Sequence, residues 1–200
     1  TFDGQELSWS WAVRGGASAG EIIGKMVIDQ SSSYLYITGG FAGTGATYGA
    51  SGSTCSLSSS NSYDIYVVNL STSDGACSWA EMVSGVGSQV GYDIILDPNG
   101  DILITGMFEN TVSFGSTSLT SSGRDDIFVG KMTSSGSWSW AVRAGGTTDD
   151  QGKGLSLDSK GDLYVTGYFN DWATFDSTNL TSSGLDNQDI FIARLSQNAS

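Results

Sequence analysis

Apolar residues in this chain come in short alternating runs, and no window sustains a helical period. Leu163-Tyr164-Val165-Thr166-Gly167-Tyr168-Phe169 reads as a strand. The turn Ser159-Lys160-Gly161 separates it from Gly154-Leu155-Ser156-Leu157-Asp158. Two such runs around a turn glycine predict a hairpin, and Pro98-Asn99-Gly100 predicts the same turn earlier in the chain. A third strand is expected from Asp189 to Leu195, with its equivalent from Asp126 to Met132. The latter turns at Ser134-Ser135-Gly136 into a fourth strand, Ser137-Trp138-Ser139-Trp140-Ala141-Val142-Arg143. Ile102-Leu103-Ile104, Ile127-Phe128-Val129 and Ile190-Phe191-Ile192 are apolar at consecutive positions. Neighbouring side chains of a strand point to opposite faces, so these strands belong to sheets buried on both sides.

These elements recur. Trp11-Ala12, Trp79-Ala80 and Trp140-Ala141 open three similar stretches, and in each an Asp follows the Trp by 18 residues, at Asp29, Asp97 and Asp158. Thr38-Gly39, Thr105-Gly106 and Thr166-Gly167 come next, each followed by Phe41, Phe108 or Phe169. Each copy then reaches Asp64-Ile65-Tyr66, Asp126-Ile127-Phe128 or Asp189-Ile190-Phe191. The unit is about 62 residues, with an insertion around Cys55 in the first copy. Four-stranded sheets that repeat, each buried on both faces, describe the blades of a β-propeller. The expected fold is therefore all-β: a propeller of three four-stranded repeats in one module over 1–200, with repeats at approximately 8–78, 79–139 and 140–200.

The pattern Trp-Ala, Gly-Gly, Asp-x-x-Gly-Asp, Tyr-Val-Thr-Gly-x-Phe and Asp-Ile-Phe-x-Ala-Arg-Leu resembles the bacterial beta-propeller repeat family often abbreviated SBBP. The resemblance covers nearly the whole chain and is strongest in the third copy. The first copy departs from it, with Gln30-Ser31-Ser32-Ser33 in place of the glycine turn. The resemblance implies a propeller on secreted or surface proteins and no particular activity.

The sequence begins in the middle of a blade. Ser8-Trp9-Ser10-Trp11-Ala12-Val13-Arg14 is a fourth strand without its first three, and Asp189 to Leu195 is a third strand without its fourth. The terminal blade is thus expected to be split between N- and C-terminal strands, a device that hides sheet edges. Three blades are fewer than the four to eight typical of propellers. Three outcomes stay open: two chains exchanging N-terminal strands in a six-bladed ring, head-to-tail strand donation in a filament, or a piece of a longer propeller. The assembly strands place Trp9, Trp11 and Val13 on one side of the expected contact and Ile190, Ile192 and Leu195 on the other.

Composition narrows the function classes. Twenty-one acidic residues against 8 basic ones give a net charge of −13 over 200 residues. That excludes a generic nucleic-acid binder and argues against docking on anionic lipid. No apolar run is long enough to insert in a membrane as a helix. Ser and Thr number 34 and 17, yet 38% of residues are hydrophobic, so the chain is neither disordered nor collagen-like. There is no histidine, which removes the usual triad and the commonest metal ligand. No catalytic residue is assigned. Gly15-Gly16 and Gly145-Gly146 read as tight turns, since no helix follows them to cradle a phosphate.

Several residues carry candidate chemistry. Cys55 and Cys77 are expected to form a disulfide, in keeping with a secreted or cell-surface location. Asp97, Asn99 and Asp101 alternate oxygen ligands as calcium loops do, although Asp-x-x-Gly-Asp is also what a hairpin turn needs. No other cofactor is expected. Asp125-Asp126, Asp149-Asp150 and Asp186 with Asp189 read as solvated acidic loops. Trp11, Trp79 and Trp140 share a register and are expected to pack between blades. Trp9 and Trp138 alternate with them, and with the unique Trp172 they are the aromatic candidates for stacking on sugars. The reading is a non-enzymatic extracellular scaffold whose partner is a second copy of itself. A multivalent carbohydrate-binding lectin is the alternative. A polysaccharide-acting hydrolase or lyase comes third, on fold analogy alone.

Overall fold

A computed structural model describes residues 6–59, 62–184 and 188–196, and all regular structure among them is β. The first sheet is an antiparallel meander of β2 (Glu21–Ile28), β3 (Tyr34–Phe41), β6 (Asp64–Ser71) and β7 (Cys77–Val83). The second repeats it with β8 (Gln89–Leu96), β9 (Ile102–Phe114), β10 (Thr117–Met132) and β11 (Trp138–Ala144). The third has β12 (Gln151–Leu157), β13 (Leu163–Asn170) and β16 (Gln188–Leu195), with no fourth strand among the described residues.

Each sheet also carries a hairpin that the alternation pattern does not announce. In the first it is β4 (Ala46–Tyr48) with β5 (Cys55–Leu57), and in the third β14 (Trp172–Phe175) with β15 (Thr178–Thr181). In the second it is the far end of β9 and β10, where Val112 faces Leu119. The linker entering each sheet pairs with that hairpin: β1 (Gly15–Gly16) with Thr47 and Tyr48, Gly85 with Val112, and Gly145 with Thr174. This corrects the reading of Gly15-Gly16 and Gly145-Gly146 as tight turns. They are glycines because other groups of the same chain stand where a side chain would lie. A Cβ on Gly15 would lie 2.6 Å from the Tyr48 ring, and one on Gly146 would collide with the Trp172 carbonyl.

The three hydrophobic cores follow from the strands that are apolar on both faces. Tyr36, Ile65 and Val67 of the first sheet meet Ile94, Ile102, Ile104, Phe108 and Phe128 of the second. Leu103, Ile127 and Val129, from the opposite face of the second sheet, meet Leu163, Val165, Phe169 and Phe191 of the third. A third cluster, including Leu35, Phe41, Tyr66 and Val68, lies on the far face of the first sheet, where Trp11 and Val13 pack against it. Each fully buried Phe or Ile side chain contributes roughly 1.5–3 kcal/mol.

The Thr-Gly signature has a packing cause. The Thr hydroxyl donates across the ladder to the carbonyl of the third strand: Thr38 to Tyr66, Thr105 to Phe128 and Thr166 to Phe191, at 3.0, 2.7 and 2.8 Å. The following glycine pairs directly with that same aromatic residue. A Cβ on Gly39, Gly106 or Gly167 would meet the ring at 2.8 Å or less. The Asp of the Asp-x-x-Gly-Asp turn caps the turn itself, as Asp158 Oδ1 accepts the N–H groups of Lys160 and Asp162.

Candidate functional site

The third sheet presents an apolar face that its two predecessors bury. Ile190 and Ile192 are 80% and 75% exposed, whereas their equivalents Ile127 and Val129 are 1% and 6% exposed. Tyr164 beside them is also exposed, while Tyr36 and Leu103, which hold its place in the other sheets, are buried. Leu195 and Phe191 point the other way, into the core shared with the second sheet. A groove of about 150 Å³ borders the outer edge of β16, lined in part by Val142, Phe175, Ala193 and Leu195.

At the other end of the stack, Ile23, Met26 and Ile28 are exposed on β2. Met26 and Ile28 pair with Ile37 and Leu35, so they share the face that carries the third core cluster. Trp11, Val13 and Ala17 from the N-terminal segment pack in that cluster, together with Ala46, Tyr48 and Leu57 of the first hairpin. Among the described residues the predicted strand Ser8–Arg14 is in no sheet and its backbone has no ladder partner. Trp11 is nonetheless anchored. Its indole N–H donates to the Thr72 carbonyl at 2.9 Å, as that of Trp79 donates to Ser134 at 3.2 Å. A Cβ on Gly75 would touch the Trp11 ring, and one on Gly136 the Trp79 ring. Residues 8–14 therefore rest on the first sheet in the way that β7 rests on the second.

The second sheet shows how such a strand closes an edge. Along β10 and β11, Met132 faces Trp138, Lys131 faces Trp140, Val129 faces Val142 and Phe128 faces Arg143. Arg143 then reaches the fully buried Asp126, 2.7 Å away, and also bonds Ser122. In the third sheet the matching Asp189 accepts the Ser183 N–H at 2.8 Å and the Ser183 hydroxyl at 3.0 Å. Among the described residues it has no cation.

The remaining predicted residues are distributed around this frame. Asp97 Oδ1 accepts the backbone N–H groups of Asn99 and Asp101, and its Oδ2 lies 2.8 Å from Lys131 Nζ. Lys131 also lies 3.0 Å from Asp101, so its ammonium occupies the place between the two carboxylates that the sequence offered to calcium. Burial alone would raise Asp97, but Lys131 and the turn N–H groups outweigh it and hold the carboxyl below its usual range. Arg194 pairs with Asp162 in the same way. Cys55 and Cys77 are bonded and staple the first hairpin to β7. Trp138 is packed edge-on against Phe114 at 4.9 Å, not free on an open face. Trp9 is 96% exposed, and Trp172 is exposed on β14.

The acidic clusters are not the solvated loops expected. Asp126 and Asp150 are fully buried, because both cap loops at the entrance of a sheet. Asp150 accepts the N–H groups of Gly146 at 2.6 Å and Asn170 at 3.1 Å with no cation beside it, and burial pushes it up to about 7. Burial also raises Asp64, Asp125 and Asp126. Lys153 stands over the Tyr92 ring at 3.1 Å, and burial lowers its ammonium. Asp186 lies outside the described residues.

No family model matches the chain. It is similar to a WD repeat-containing protein of Acanthamoeba polyphaga mimivirus that is itself uncharacterized, at 29% identity over 127 residues. The match covers 54% of this chain and 9% of the relative, so the chain spans a small part of that protein's length. An all-β repeat of antiparallel sheets, similar in sequence to a WD repeat protein, is the likeness that fold and comparison share.

Proposed function

We propose that the three sheets are successive blades of a β-propeller of the SBBP kind, and that the chain is a non-enzymatic extracellular scaffold. It assembles by strand complementation. Residues 8–14 of one copy add to the outer edge of β16 of a second, and the exposed face of the second copy's third sheet stacks on the first sheet of the donor. Two chains then close a six-bladed ring with no free edge, in line with the prevalence of two-fold assemblies.

The observation that carries this reading is the exposure of Ile190 and Ile192 at positions that the rest of the repeat buries. Exposed apolar patches of this kind mark interaction surfaces. The donor segment is chemically matched: Ser8–Arg14 is identical to Ser137–Arg143, the strand that closes the second sheet. In the register of β10 and β11 it would set Trp11 opposite Arg194, Val13 opposite Ile192 and Arg14 within reach of Asp189. The segment already rests on the first sheet, so stacking delivers it without unfolding. The Cys55–Cys77 bond suits an oxidising location outside the cell.

Light scattering behind a sizing column tests the reading. The expected mass is twice 20.9 kDa, falling to one copy in Ile192→Asp and in Arg14→Glu. Combining Arg14→Glu with Asp189→Arg should restore the dimer. A folded monomer at every concentration would overturn strand complementation, and a continuous polymer would replace the ring by a filament.

A further inference from the structure

The geometry points to a binding site for a neutral saccharide in the cleft between the first and second sheets. The cleft has a volume of about 570 Å³, within the range of small-molecule sites. Its floor is a row of three cross-strand neighbours. Tyr36 on β3 pairs with Asn69 on β6, and Asn69 pairs with Trp79 on β7. Directly paired residues of an antiparallel sheet share a face, so an amide stands between two aromatic rings whose centroids are 6.0 Å apart. Asn69 is 3% exposed, and its Nδ2 has no hydrogen-bond partner among the described residues. A buried amide without a partner is destabilising, so an acceptor supplied from outside the protein would stabilise it.

The repeat shows that this is a departure and not a property of the fold. The positions equivalent to Asn69 are Lys131 and Arg194, and both pair with the acid that opens their second strand, Asp101 or Asp162. In the first sheet that acid is replaced by Tyr34. Both members of the ion pair have therefore changed together, to an amide and an exposed phenol, and both line the cleft. The corresponding space between the second and third sheets is lined mainly by Leu103, Trp140, Leu157, Leu163 and Leu195.

The lining selects the ligand class. Asp29 and Asp97 border the cleft and no Lys or Arg does, which disfavours anions. The oxygens of Asp29 are engaged by the turn from Ser31 to Tyr34, and those of Asp97 by its own turn and Lys131. The carboxylates are thus committed and leave little for a metal ion. A quaternary ammonium would suit the rings but has no acceptor for Asn69 Nδ2. A pyranose supplies both parts, a C–H face for Trp79 or Tyr34 and hydroxyl or ring oxygens for the amide. The site lies within one chain, so it is independent of the assembly described above.

Tryptophan fluorescence and amide NMR titrations of the full chain with glucose, galactose, mannose, N-acetylglucosamine, maltose, cellobiose, lactose and chitobiose test the site. Saturable binding by at least one sugar is expected, with shifts centred on Trp79 and Asn69. The variant Asn69→Lys combined with Tyr34→Asp rebuilds the ion pair of the second sheet. It should fold, with unchanged dispersion of the remaining NMR signals, and bind at least tenfold more weakly, while Trp172→Ala binds as the parent does. Absence of saturable binding to every sugar, or equal binding by the double variant, would overturn the assignment.

Discussion

The carboxylate of Asp93 accepts the backbone N–H of Leu155 at 2.7 Å, joining the first strands of the second and third sheets. Its other oxygen lies 2.6 Å from Lys25 Nζ on the first sheet. One buried side chain thus ties all three first strands together. It does so at the bulges of β8 and β12, where the ladders are interrupted and an N–H is left for a neighbour. Asp93→Ala would leave the Leu155 N–H unpaired, at a cost of about 2 kcal/mol. Thermal unfolding followed by circular dichroism should show a midpoint lowered by roughly 4–8 °C. An unchanged midpoint would mean that the sheets are held by their apolar faces alone.

Two glycines should respond very differently to the same change. Gly106→Ala places a methyl group against the Val90 carbonyl and 2.8 Å from Phe128, both in the packed interior. Neither can retreat, so a loss of 3 kcal/mol or more is expected, on the order of an overpacked core. Gly100 has φ +83° and open space around it, so Gly100→Ala meets only backbone strain, about 1–2 kcal/mol. Urea midpoints of the two variants give the comparison, and a larger loss at Gly100 would contradict the packing account.

Asp150 sets an unusual pH dependence. An unfolded Asp titrates near 3.9, and in the fold burial raises this one to about 7. The folded state therefore binds the proton more tightly. Its contribution to stability is complete below about pH 4 and is lost as pH rises through about 7. Between those limits this group alone lowers stability by up to about 1.4 kcal/mol for each pH unit. Asp64, Asp125 and Asp126 are raised in the same direction. Calorimetry should find a higher unfolding temperature near pH 5 than near pH 8, and Asp150→Asn should flatten the difference. A variant with the parent's slope would assign the dependence elsewhere.

The Cys55–Cys77 bond closes a loop with a sequence separation of 22 and holds the first hairpin on the edge strand β7. Constraint of the unfolded chain by a loop of this length contributes about 3 kcal/mol. Cys55→Ser with Cys77→Ser should lower the unfolding midpoint by several degrees. A reducing agent should do the same to the parent and nothing further to the variant, as thermal melts with and without reductant will show.

The repeat, the strands and the two-sided burial were legible in the sequence. Each rests on local alternation and on spacings that survive from copy to copy, and Ile102-Leu103-Ile104 does send its side chains into two cores. The hairpins were not legible, because Ala46–Tyr48 and Trp172–Phe175 are too short to show a period. The burial of Asp126 and Asp150 was hidden as well. A polar residue in a loop reads as solvated unless its partners, here Arg143 and the Gly146 N–H, are known. In the sequence Asn69 reads only as the start of a glycosylation sequon, Asn69-Leu70-Ser71, and its place between Tyr36 and Trp79 comes from the sheet pairing. The signal it does carry is its contrast with Lys131 and Arg194, which hold the same place in the other two copies.

By itself the sequence determined what is periodic: antiparallel strands, turns capped by Asp, and a Thr-Gly pair at each second strand. These are set by interactions a few residues long or between adjacent strands, and the chain writes them in order. Tertiary structure alone decided which apolar faces are covered and which are left open. Ile127 and Ile190 have the same neighbours in sequence, yet one is buried and the other exposed. The difference lies in whether another sheet stacks upon them, and burial is a property of what packs against a face and not of the strand that bears it.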